Sequence, residues 1–305
     1  MPFPHSKTLI DKVIGRKPMH RKFLNTTLSK LSEVEQSEAE HYIEFLQLQG
    51  HTIDDLATCY LTIVEDTFRE ELYFRETGRY RCSSYAEAAA AVYHNPDYMQ
   101  RYMVGLALSS FWWINHVQLR RFFSGFIAGR QGTIYREIGP GHGLYFLEAM
   151  RSSSFGRYEG VDISETSVAM TRRIIDSGYF GKFERATVFQ ADFLADEVRE
   201  AADMLVMGEI LEHVENPGRF LQCAHATTTA DAAIFLTTCF NSPAVDHIYN
   251  PGSMGTLEQL VQSAGFAVID SIVIPKQGST AVQCEADRLP VNVAMILKKS
   301  PSPAT

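Results

Sequence analysis

From Thr133 onward the chain alternates short apolar runs with amphipathic ones, and few folds accommodate that order. "TIYREIG" is short, apolar and followed by glycine, as suits a buried strand. "YEGVDIS" is a second such run, ending at Asp162, and "ATVFQADF" a third, ending near Asp192. "ADMLVMGEI", "AAIFLTTCF", "FAVIDSIVIP" and "VNVAMILKK" follow as the fourth to seventh. Helical segments separate the first six: "GLYFLEAMRS", "SETSVAMTRRIIDSG", "EVREAA", "NPGRFLQCAHAT" and "TLEQLVQSAG". Strand–helix alternation of this kind predicts an α/β fold, a parallel sheet with helices on both faces. Only "KQGSTAVQCEADRLP" joins the last two strands, with no helix expected in it. The final strand is therefore expected to pair antiparallel, ahead of a frayed "SPSPAT" tail.

The first part reads differently. Residues from about 20 to 128 carry apolar residues at helical spacing, and no alternating pattern interrupts them. "LSEVEQSEAEHYIEFLQLQG" closes at Gly50, and "TIDDLATCYLTIVEDTFREELYFRETG" stops at Gly78. "SSYAEAAAAVYHN" is short and alanine-rich. The segment from Asn95 to Gly129 starts with Pro96 near a helix N-terminus and reads as one long helix. The expected division is a helical unit over 1–128 and a sheet unit over 129–305.

Composition narrows the function classes. The chain of 305 residues is 45% hydrophobic and 21% charged, as a soluble globular protein would be. A net charge of -8 disfavours tracking along nucleic acid, and Arg120-Arg121 alone reads as a solvated helix face. Five cysteines, none in a CxxC pair, predict free thiols in a reducing compartment. No apolar run is long enough for a membrane span or a signal peptide, so a cytoplasmic location is expected.

Gly139, Gly141 and Gly143 stand at alternate positions in "EIGPGHG", just behind Glu137. A bare turn between strand and helix lets a ligand approach the backbone, and the helix N-terminus adds partly positive N–H groups. The dinucleotide spacing G-x-G-x-x-G is not met, because Leu144 follows Gly143. Asp162, ending the second strand, is placed to accept both hydroxyls of a ribose. Asp192, ending the third, is placed for an adenine amino group.

In order and spacing, "EIGPGHG", "VDIS", "QADF" and "GEILEHVENP" resemble the class I S-adenosylmethionine-dependent methyltransferases over about residues 130 to 298. The resemblance implies a seven-stranded Rossmann-like sheet with an antiparallel last strand, carrying here an N-terminal all-helical cap. It implies that Gly139, Pro140, Gly141 and Gly143 face the methionine part of S-adenosylmethionine, with Glu137 fixing the loop and the ammonium. Asp162 would hold the ribose, Ile163 would pack on adenine, and Asp192 and Phe193 would meet its edge. The helical cap would cover the cofactor and shape a substrate pocket, with Tyr98 and Tyr102 as lining candidates. Trp112, Trp113 and His116 read as core, and His142 as an exposed loop residue. Caps of this type often mediate homodimers.

"GEILEHV" places Glu209, Glu212 and His213 at i, i+3 and i+4, on one face if a helix starts directly after the fourth strand. Asp246 and His247 follow the fifth strand, a neighbour at the same sheet edge. Two carboxylates and two imidazoles would then converge, suiting Mg2+, Mn2+, Fe2+ or Zn2+ without selecting one. The set is similar to the E-x-x-E-H arrangements of small-RNA terminal ribose methyltransferases and of ubiquinone-pathway O-methyltransferases. That likeness implies Glu209, Glu212, His213 and His247 as ligands. Without a metal, Glu209 lines the cofactor pocket, His247 is the leading general base and Asp246 the second. Asn241 and Tyr249 are further pocket candidates. The expected activity is methylation of a small molecule in specialised metabolism, on oxygen first and on nitrogen or carbon second. A nicotinamide oxidoreductase and a catalytically silent binding protein are the rivals from other classes.

Overall fold

A computed structural model of the chain describes residues 3–195 and 200–300. Half of the expected "EVREAA" helix lies outside the described residues, and its other half, residues 200–202, is not helical, since Ala202 already opens a strand; most of the "SPSPAT" tail lies outside as well. Seven helices come first: α1 (Pro4–Arg16), α2 (Arg21–Leu28), α3 (Glu33–Leu48), α4 (Ile53–Thr77), α5 (Tyr85–Ala88), α6 (Pro96–Trp112) and α7 (Ile114–Ile127). Ser32 and Thr52 open α3 and α4 with capping boxes to Glu35 and Asp55, satisfying N–H groups that a helix start leaves unpaired. Gly78 closes α4 in the left-handed conformation that its lack of a Cβ permits.

The long helix expected after Asn95 is two helices. Trp113 breaks it with an extended backbone (φ -102°, ψ 120°). Its indole N–H donates to the Tyr60 hydroxyl at 3.1 Å. A five-residue π-helical turn over Ala89–Tyr93 follows α5 directly.

The sheet unit runs β1 (Gln131–Ile138), α8 (Leu144–Ser152), β2 (Ser154–Asp162), α9 (Glu165–Asp176), β3 (Ala186–Gln190), β4 (Ala202–Gly208), α10 (Pro217–Ala226), β5 (Thr228–Phe240), α11 (Met254–Ser263), β6 (Phe266–Pro275), α12 (Ala281–Asp287) and β7 (Val291–Lys299). Spatial order is β3-β2-β1-β4-β5-β7-β6. β7 lies antiparallel to both β5 and β6, and the other pairings are parallel. One expectation is corrected: a short helix, α12, does stand between β6 and β7. Thr280 and Gln283 close a capping box that supplies its end with local hydrogen bonds. The connection still returns the chain antiparallel.

Alternate residues of each central strand enter opposite cores. Met204 and Val206 pack with Tyr135, Phe235 and the helical half, while Leu205 and Met207 pack with Leu221 and Val261. The chain reverses its direction of sheet growth between β1 and β4, so their C-terminal ends open a crevice. In open α/β sheets ligands bind in such a crevice.

Candidate active site

A cavity of about 560 Å³ fills that crevice, between the strand ends and helices α4, α6 and α7. Its floor is the glycine turn. Gly139, Gly141 and Gly143 all take left-handed backbones, with φ of 65°, 56° and 79°. A Cβ on Gly139 would stand 2.3 Å from Ile210 Cδ1. Asp162 is fixed from two sides: the Gly141 N–H donates to Oδ2 at 3.1 Å and the Ser164 N–H to Oδ1 at 2.8 Å. Burial nonetheless pushes its carboxyl up to about 6. Glu137 is 2% exposed, accepts from the Tyr135 hydroxyl, and is pushed up by burial to about 8. Pro140, Ile163, Asp192 and Phe193 line the same cavity. Ile163 is 45% exposed there, an apolar face open on the bare side of the turn. Asp192 accepts the Leu194 N–H at 2.8 Å.

The segment after β4 is not the helix the i, i+3, i+4 reading required. Glu209 takes a left-handed backbone (φ 54°), rare for a residue with a side chain. Its N–H is held by the carbonyl and hydroxyl of Thr237, both at 3.0 Å. A single 3-10 turn over Leu211–His213 follows. A strained bend and a tight turn, not one helix face, therefore set these residues, and the four ligands expected together fall into two overlapping groups. Ligand atoms of Glu212, His213 and His247 lie within 4.8 Å of one another, as do those of Glu209, Glu212 and Cys239. Glu212 belongs to both groups.

Hydrogen bonds fix what these side chains offer. Nδ1 of His247 is 2.7 Å from the Ser242 carbonyl, which only accepts, so Nδ1 carries the proton. Nδ1 of His213 is 3.2 Å from the Asp246 carbonyl, with the same consequence. With Nδ1 carrying the proton, the lone pair of a neutral imidazole lies on Nε2. The rings stand 4.8 Å apart, nearly perpendicular. Burial lowers His247 to about 4, with the neighbouring His213 adding to the effect. Glu212 is fully buried, accepts from the Thr238 hydroxyl at 2.7 Å, and is pushed well above the usual carboxyl range by burial and then by Glu209. Glu209 is raised too, and its Oε1 is a buried oxygen without a partner.

Tyr102 lines the cavity, and its hydroxyl donates to Asp246. Tyr98 stands one step behind it, stacked on Tyr102 at 5.9 Å and donating to Asp66. Asn241 and Tyr249 are not among the lining residues: Asn241 accepts from the Asn250 amide at 3.1 Å, and the Tyr249 N–H donates to the Glu212 carbonyl at 3.0 Å. His142 is half-buried, not exposed, with its Nδ1 accepting from the Leu144 N–H at 3.3 Å. Trp113 and His116 open onto the cavity. Sequence reasoning missed Tyr93, Cys239, Asn115 and Asn292, which line it as well. Cys239 alone carried a signal, as the penultimate residue of a strand ending at the site edge.

Residues 118–271, half of the chain, match the family described as a methyltransferase domain. A ubiquinone biosynthesis O-methyltransferase of Pseudomonas aeruginosa (strain UCBPP-PA14) is 28% identical over 117 residues, covering 38% of this chain and 48% of that protein. The chain thus spans about half the length of the curated relatives it matches. Among solved structures, the mitomycin 7-O-methyltransferase MmcR superposes with a TM-score of 0.52 at 12% identity, over 77% of this chain and 68% of that one. The cyclase SpnF superposes with a TM-score of 0.51 at 12% identity, over 63% and 83%. At these identities the two structures speak for the fold alone. Glycine turn, strand-end carboxylates, sheet order and matched residues agree: the chain belongs to the methyltransferase domain family and has the class I S-adenosylmethionine-dependent fold.

Proposed function

We propose that the protein transfers a methyl group from S-adenosylmethionine to an oxygen of a small molecule, assisted by a divalent cation. The observation that carries the proposal is the group of Glu212, His213 and His247, whose ligand atoms lie within 4.8 Å of one another, with both imidazoles lining the cavity that the glycine turn floors.

Asp162 and Asp192 are placed for the ribose and adenine, Ile163 for the base plane, and the glycine turn with Glu137 for the amino-acid end. S-adenosylmethionine supplies an activated methyl on a sulfonium. The chain's own task is to hold donor and acceptor at near-attack distance. Tyr93, Tyr102, Met103 and Trp113 line the cavity from the helical side, where a mostly apolar wall disfavours water, a competing nucleophile.

The acceptor hydroxyl must lose a proton. His247 is a poor base near neutral pH, since burial holds it at about 4. The same neutrality makes it a good ligand. Each ring donates its other N–H to a carbonyl, the outer-shell partner usual for metal-bound histidines. Two imidazoles with a carboxylate suit Zn2+, Fe2+ or Mn2+ better than Mg2+, which prefers oxygen. Glu209, with its unpartnered oxygen, is the fourth candidate ligand. A bound cation lowers the pKa of a hydroxyl coordinated to it.

The curated O-methyltransferase relative supports the oxygen acceptor. The cyclase with this fold makes a non-transferring protein the alternative. The test is incubation with S-adenosylmethionine and a panel of catechols, hydroxy acids and amines, with and without a chelator. Release of S-adenosylhomocysteine with an oxygen acceptor, reduced by chelation, is expected. Release with amines alone, or indifference to chelation, overturns the oxygen or the cation part respectively. A cytoplasmic site of action rests on the five free thiols.

A further inference from the structure

Asn292 sits in a strand whose neighbours Val291, Val293, Ala294 and Met295 are buried and apolar. A polar side chain in such a place costs stability unless it is satisfied. It is Cα partner to Cys239 across the β5–β7 ladder, so the two side chains share one face of the sheet about 5 Å apart. Cys239 Sγ lies 3.8 Å from Glu212 Oε1 and 3.9 Å from His247 Nδ1. The amide of Asn292 is therefore one strand removed from the reactive cluster.

Asn115, in the first turn of α7 just past the break at Trp113, donates its Nδ2–H to Asn292 Oδ1 at 2.8 Å. That is the one hydrogen bond of either side chain among the described residues. It leaves the Asn115 oxygen as an acceptor and the Asn292 nitrogen as a donor. Turning both amides over leaves the same offer, one donor beside one acceptor. Both residues line the cavity.

His116, the next residue of α7, offers a further acceptor elsewhere on the cavity wall. The Ser109 hydroxyl gives its proton to the Leu106 carbonyl at 2.7 Å. It must therefore accept from His116 Nδ1, 3.0 Å away. His116 Nε2 is left as a bare acceptor on a ring that also lines the cavity. Burial holds that ring neutral, with a pKa lowered to about 4. Arg120 lines the cavity too, but its charge is met by Glu38 at 2.8 Å and by the Phe111 ring.

We propose that Asn115 and Asn292 form a recognition subsite for an uncharged donor–acceptor group of the amide type, adjacent to the hydroxyl that is methylated. This rests on the functional reading above and names its substrate class: a largely apolar hydroxy-amide. The two polar groups of the substrate lie within a few ångströms, because one strand spacing separates their binding sites. Specificity against a bare phenol comes from the Asn115 oxygen and the Asn292 N–H, which the wrong molecule leaves unmet.

The test loads the protein with S-adenosylhomocysteine and titrates it with salicylamide, phenol and salicylate by calorimetry. Salicylamide is expected to bind about tenfold tighter than phenol, the worth of one or two hydrogen bonds. Asn115→Ala and Asn292→Ala, on different elements, should each remove that preference and leave S-adenosylhomocysteine affinity unchanged. Unmeasurable salicylamide binding, equal binding of phenol, a preference for anionic salicylate, or a preference surviving both variants overturns the subsite. A protein that never takes up S-adenosylhomocysteine defeats the underlying functional reading. A loaded protein indifferent to the amide defeats this subsite alone.

Discussion

The hydroxyl of Tyr102, on α6, donates to Oδ1 of Asp246 at 3.0 Å. Tyr93, closing the π-helical turn, donates to Oδ2 of the same carboxylate at 3.1 Å. Asp246 in turn holds His213 through its backbone carbonyl. The helical half thus reaches the strand-end cluster through two phenols on one buried acid. Each such hydrogen bond contributes about 0.5–1.5 kcal/mol. Tyr93→Phe and Tyr102→Phe should each lose stability of that order in urea unfolding. Because they share an acceptor, the double variant should depart from additivity. Two silent single variants would remove the linkage.

Glu137 gives the protein a pH signature. Its carboxyl, pushed by burial from 4.5 up to about 8, keeps a proton in the folded chain that the unfolded chain releases. A proton bound more tightly when folded stabilises at low pH and loses that effect as pH rises through the window. Glu137→Gln removes the dependence. The stability of that variant relative to the original chain should climb between about pH 4.5 and 8 in parallel urea series. A flat difference would show that the carboxyl titrates normally.

The glycine turn and a helix offer a paired test. Gly141 has φ 56°, and a Cβ there would stand 2.9 Å from the Met103 methyl. Gly141→Ala should cost roughly 1–2 kcal/mol. Gly255, in α11, has open space around it and no positive φ. Gly255→Ala should instead gain about 0.4–1 kcal/mol by restricting the unfolded chain. Thermal unfolding of both variants decides, and equal shifts would contradict the backbone argument.

Cation binding separates the cluster from its surroundings. His247→Ala and Glu212→Gln should each weaken Mn2+ binding about tenfold or more, measured by calorimetry on the metal-free protein. Tyr249→Phe, at a residue outside both candidate ligand groups, should leave it unchanged. Mn2+ binding indifferent to His247 would remove that residue from the site.

The parts of the fold written in local pattern were legible. Buried parallel strands need short apolar runs, and Ile134, Val161, Leu205 and Leu236 stand in such runs. Strand-end carboxylates and the spaced glycines mark the strand ends where the crevice opens. What escaped depends on tertiary context. The bend at Glu209 is secured by Thr237, a residue 28 positions later on another strand, so spacing alone suggested a helix. The break at Trp113 is tied to Tyr60, far away in sequence. Tyr93 sits at the end of an alanine run that reads as helix, and its π-helical turn has no composition of its own. The helix α12 is only seven residues long, and Thr280 with Gln283, its capping box, is its one local signal.

The central claim is that the crevice over the glycine turn seats the nucleoside of S-adenosylmethionine, with Asp162 on its sugar. Calorimetric titration with S-adenosylhomocysteine, on folded protein shown by mass spectrometry to carry no co-purified ligand, tests it directly. Saturable heat is expected, with affinity falling about tenfold or more in Asp162→Ala. No heat from the unaltered protein, or equal affinity in the two, would contradict the assignment.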